Sequence, residues 1–162
     1  MMNRFYTAAI LIALPAYALS AQAPIPASTY VMKAGASDLY EKTSSQLVLA
    51  TTTNPKLKSF AQMMVTDHTK STADVKAAAT AAHVKVTPPK LDAVGAKNVA
   101  ALRAAKGTAR DRLYVTQQKA AHEKALALQQ GYAANGTVPG LKTVAAGIVP
   151  VVQTHITELQ SM

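Results

Sequence analysis

Beyond residue 28, apolar side chains recur three and four positions apart along most of the chain, the spacing of a helix face and not the alternation of a strand. The clearest stripe is the last one: Leu141, Val144, Ala145, Ile148, Val152, Ile156 and Leu159. Val138-Pro139 opens it, and Pro150 inside it predicts a kink, because proline removes one backbone hydrogen bond and crowds the carbonyl of Ala146. A second stripe, Leu57, Phe60, Ala61, Met64, Val65, Val75 and Ala79, predicts a helix from Pro55 to about Ala82. Asn54-Pro55 is its start signal, since Asn caps and Pro at the first helical position lacks only an orphaned N–H. Ser28 is the expected N-cap of an earlier helix of about 25 residues ending at Thr51-Thr52-Thr53. Thr108 with Asp111 resembles a capping box for another long helix, which stops at Asn135-Gly136. Residues 83–107 hold Pro88-Pro89 and a weaker, Ala-rich helical piece from Asp92 to Ala105, ended by Gly107. No strand pattern follows the leader.

Four long helices of roughly 33 to 42 Å result at 1.5 Å per residue. Short links make the first two an antiparallel hairpin, and the last two another. The segment 83–107 is long enough to travel the length of the molecule, so that helices two and three start at the same end. The predicted fold is all-α: a ferritin-like four-helix bundle over residues 29–160, with a long crossover between helices two and three.

The first residues have a different character. Arg4 precedes an apolar stretch from Phe5 to Leu19, and small residues follow at signal-peptidase spacing, Ala18-Leu19-Ser20 or Ala21-Gln22-Ala23. Residues 1–20 therefore read as a secretory signal peptide, cleaved between 18 and 23. The stretch falls short of the roughly 20 residues that span hydrocarbon, and no transmembrane helix is expected in the mature chain. The implied address is the periplasm or the outer membrane of a bacterium. With no Cys, disulfide frameworks, thiol catalysis and Cys zinc sites are excluded. Formal charge is +9, from 17 basic against 8 acidic residues, and the basic residues are scattered. In the mature part, Phe60 and four Tyr are too few for the stacking platforms of nucleic-acid binding. Nucleic acid is not an expected partner; anionic envelope components are.

Candidate chemistry lies in the histidines. His68 falls four after Met64, His155 three after Val152, and His122 four before Leu126, so all three sit on or beside apolar stripes. His68 and His122 come at matching depths in their helices, and His155 falls within about one turn, roughly 5 Å, of His122. Three imidazoles at one height suit a single zinc, copper or iron ion. Asp67, Glu123 and Glu158 are the outer partners or alternative ligands. A ferritin-like di-iron centre wants four Glu, and the chain has three. Glu41 lies two residues, about 200°, from Leu39 and faces away if Leu39 is core. The competing reading is a hydrogen-bonded polar layer in which Asp67, Tyr or Gln satisfy the histidines. His83, beside the Pro88 loop, is expected at the surface, and Met63-Met64 is expected to pack.

Several stretches carry a family resemblance: Ser37 to Glu41, Asn54 through Phe60-Ala61-Gln62-Met63-Met64-Val65-Thr66-Asp67-His68-Thr69-Lys70, Asp111 to Tyr114, Gln118 with Ala121-His122-Glu123, and Leu141…Pro150…His155. They resemble bacterial secreted proteins of domain-of-unknown-function family 4142, over about residues 29–160. The resemblance implies a ferritin-like bundle with Asp67, His68, His122 and His155 as pattern positions, and no established reaction. Thr43-Ser44-Ser45 departs from the pattern, where an acidic residue is common. The combined expectation is an exported helical bundle, non-enzymatic, holding one metal ion in its His layer. The alternatives are a metal-dependent oxidase or hydrolase, and a basic surface protein for adhesion or stress protection.

Overall fold

A computed structural model describes residues 24–162. The expected signal peptide and its cleavage region up to residue 23 lie outside the described residues. Among the described residues five helices follow one another: α1 Ala27–Leu49, α2 Pro55–Ala81, α3 Ala93–Ala104, α4 Gly107–Asn135 and α5 Pro139–Gln160. The fold is all-α, with no strand among the described residues. None of the described helices is long and apolar enough to cross a membrane.

Local chemistry sets the helix boundaries. Asn54 Oδ1 accepts from the backbone N–H of Lys56 at 3.0 Å and of Leu57 at 3.2 Å, so α2 starts as its Asn-Pro signal dictates. Asp92 does the same for α3, accepting from Gly95 N–H at 2.7 Å. Two expected caps do not form. Ser28 lies inside the first turn of α1, whose N-cap is Pro26, because Ile25 and Ala27 are drawn onto an apolar cluster. The Thr108/Asp111 box is absent too: Asp111 Oδ2 instead accepts from Thr52 Oγ1 at 2.9 Å, tying α4 to the α1–α2 link. Gly107, expected to end the preceding piece, starts α4, and its φ of +54° is a conformation that side chains disfavour. Pro150 does not end α5, which continues through it with the ring exposed.

α1 packs along α2 and α4 along α5; α1 also contacts α4, and α2 contacts α5. The connection carrying α3 lies mainly on α1. Two apolar clusters result. One contains Tyr30, Ala34, Val75, Tyr132 and Leu141, with the Tyr30 and Tyr132 rings stacked at 3.9 Å. The other contains Val48, Phe60, Met64, Leu102, Tyr114 and Leu159. By their positions along the helices the clusters belong to opposite ends. The middle of the interior is polar instead: Asp38, Glu41, Ser44, Ser45, His68, Gln117, Gln118, His122 and His155 are all buried.

Candidate metal centre

The histidines reach this polar layer from three different helices, His68 from α2, His122 from α4 and His155 from α5. Their ring centroids lie 5.8 Å (His68–His122), 5.7 Å (His68–His155) and 5.3 Å (His122–His155) apart. One ring nitrogen from each falls within 4.8 Å of one from each of the others. The convergence expected from helical depth is therefore present.

What surrounds the rings fixes their tautomers. His122 Nδ1 is 2.9 Å from the backbone oxygen of Gln118, and a carbonyl only accepts, so Nδ1 carries the hydrogen. Burial, with the neighbouring His68 and His155, pushes the His122 pKa down to about 3, so the ring is neutral and Nε2 is bare. His155 Nε2 donates to Asp67 Oδ2 at 3.0 Å. Burial also lowers the His155 pKa, against the opposing pull of Asp67. His122 Nε2 and His155 Nδ1 stand 3.3 Å apart, within hydrogen-bond distance of one another. His68 Nδ1 pairs with Asp38 Oδ1 at 2.9 Å, and its Nε2 is buried without a partner. Burial pulls the His68 pKa down, but the Asp38 hydrogen bond and the charges of Glu41, Asp38 and Asp67 outweigh it, for a net rise.

The residues expected around the histidines separate. Asp67 takes its place as the acceptor for His155. Glu123 is exposed, because one residue's rotation of about 100° turns it away from the buried face that holds His122. Glu158 is half-buried, and its carboxylate makes no hydrogen bond to a histidine among the described residues. His83 lies at the surface in the turn just after α2, with a φ of +54°. Met64 packs in the apolar cluster.

Glu41 overturns its expectation. It is 0 % exposed while Leu39 is only half-buried, so the premise that Leu39 belongs to the core fails. Both Glu41 oxygens lack a hydrogen-bond partner, and Oε1 lies 3.8 Å from His122 Nδ1. Burial, eased somewhat by the charge of His68, pushes the Glu41 pKa up to about 7. Asp38 was also missed. It accepts from His68 and, through Oδ2, from Thr72 Oγ1 at 3.0 Å. A signal for both existed: Val31, Ala34, Asp38, Glu41, Ser45 and Val48 alternate steps of three and four, one buried face with a polar centre.

Chemically, each histidine has an acceptor or a carboxylate against one ring nitrogen, while the second nitrogens of His122 and His155 meet each other and that of His68 has no partner. A fold alone assigns no chemistry to such a layer, so its relatives matter. No curated protein and no solved structure matches the chain. The family model described as Domain of unknown function (DUF4142) matches residues 14–162, nearly the whole chain and all three histidines, and the chain belongs to that family.

Proposed function

We propose that this chain is an exported bundle protein that binds one transition-metal ion through His68, His122 and His155. The observation that carries the reading is the convergence of three buried imidazoles from three helices, one nitrogen of each within 4.8 Å of one from each of the others, with His68 Nε2 left unpartnered. A proton joins one donor to one acceptor and so relieves two nitrogens at most; a metal ion engages all three. Asp38, Asp67 and the Gln118 carbonyl then act as the outer partners that hold each ring's tautomer and orientation. Imidazole nitrogens suit zinc, copper or iron. The buried carboxylates supply negative charge next to the cation.

The helix contacts support the finer architecture, a ferritin-like four-helix bundle of α1, α2, α4 and α5, with α3 in the long crossover. Glu41 is the one buried Glu, which weighs against a carboxylate-rich di-iron centre. Periplasmic or outer-membrane location is part of the proposal and rests on the leader pattern of the sequence.

The test is elemental analysis of protein isolated from the periplasm without chelators. About one metal per chain is expected, lost in His68→Ala and His122→Ala, because tight sites stay loaded through purification. Less than about 0.1 metal per chain, unchanged by these substitutions, refutes the reading. The scattered exposed lysines support a second role, attraction to anionic envelope surfaces. Binding to anionic vesicles must then weaken with salt.

A further inference from the structure

Between α2 and α5 lies a cleft of about 220 Å³, lined by two of the three histidines, His68 and His155, together with Asp67. His122 does not line it and is 0 % exposed. This groove thus reaches the centre from the side of His68 and His155. Val144, Ile148 and Val152 give it apolar walls. Gly147 stands on the α5 lip against open space, since a Cβ built there would meet nothing within 4 Å.

Ser71 also lines the cleft, three residues after His68 on the same face of α2. Its hydroxyl is buried and has no hydrogen-bond partner, although most Ser and Thr residues of α2 bond back to a carbonyl of their own helix. A buried donor left unpaired is costly. Two unpartnered polar atoms, His68 Nε2 and Ser71 Oγ, therefore belong to residues on one cleft wall.

We propose that this cleft admits a small monoanion of the azide or hydroperoxide class, which binds the metal directly and accepts a hydrogen bond from Ser71. The inference rests on the metal reading above. Three protein nitrogens leave a coordination position for a water or an exogenous ligand, as in open sites. Apolar walls in a cleft of this size select a ligand of few atoms. The charges at the rim, Lys70 and Asp74, are already paired with each other.

The experiment uses the full mature chain loaded with Cu(II) and titrated with azide. Copper per chain is measured on each sample, and binding is followed by the azide-to-copper charge-transfer band. A saturable band at one azide per copper is expected. Ser71→Ala weakens azide binding about tenfold, and Gly147→Phe by at least about tenfold, both with copper content unchanged. Val151→Trp, an exposed position on the same lip, repeats the blocking test in case the Phe variant does not fold. Bound copper that gives no azide band, or azide affinity unchanged in every variant, overturns the open site and leaves the metal reading standing. Failure to take up copper or any other transition metal overturns both.

Discussion

Replacing Glu41 by Gln removes a charge from the least hydrated carboxylate position in the protein while keeping the shape of the side chain. In the folded metal-free chain, burial raises the Glu41 pKa from 4.5 to about 7. Below the unfolded value both states hold the proton, and the carboxyl costs nothing extra. As pH rises, the unfolded chain ionises first, and folded stability falls until the folded carboxyl ionises too. Two and a half units at about 1.36 kcal/mol each give a loss of about 3 kcal/mol, complete above neutral pH. Gln does not titrate, so the variant escapes that loss. His122 and His155, with lowered pKa values, oppose the trend, since their neutral forms favour folding as pH rises. They act in both proteins and cancel in the difference. Part of the His68 rise comes from Glu41, and losing it trims the gain somewhat. Urea unfolding of both metal-free proteins from pH 4.5 to 8 measures the effect. The two are expected to match near pH 4.5, and the Gln variant to gain about 3 kcal/mol by pH 8. That gain shifts the midpoint by about 1.5 M urea at a slope near 2 kcal/mol/M. Parallel stability curves across this range would refute a carboxylate buried without compensation.

Asp38→Asn should weaken metal binding about 10- to 100-fold in a competition titration while helix content by circular dichroism is unchanged, because the substitution alters the partner that orients His68. Metal affinity should fall as pH drops through the raised His68 pKa, since the proton and the ion compete for the same ring; a flat profile by calorimetry between pH 5 and 8, buffers matched, contradicts this. Saturating metal at a hundred times its Kd should stabilise the fold by about 2.7 kcal/mol in chemical unfolding. Leu159→Ala, at a fully buried position beside Phe60 and Tyr114, should cost about 2–5 kcal/mol by the same method. Asn54→Ala should cost about 1 kcal/mol, through the two N–H groups it leaves unpaired.

Periodicity and termination signals along the chain specified most of the helices by themselves. Asn54-Pro55, Asn135-Gly136 and Val138-Pro139 are local devices, acting through hydrogen bonds and dihedral limits within a few residues. Local signals failed where a distant partner offered more. Asp111 abandoned its expected cap for Thr52, 59 residues away, and Ser28 lost its role to the packing of Ile25. The level placement of His68, His122 and His155 was also legible, because helical rise converts residue counts directly into height.

Tertiary structure alone decided which carboxylates meet those histidines. Closeness in sequence singled out Glu123 and Glu158, but Glu123 is turned about 100° from His122 and is exposed, and Glu158, three residues after His155, is half-buried and makes no hydrogen bond to a histidine among the described residues. Asp38 and Glu41 come from α1, roughly thirty and eighty residues from the histidines they approach. Their burial depends on which face of α1 turns inward when three other helices close around it. The sequence by itself determined the helices and the height of the His layer, because both follow from repeat distances along one chain. The acids around it, the ring nitrogens facing one another and the cleft that reaches them are relations between helices, which only packing creates.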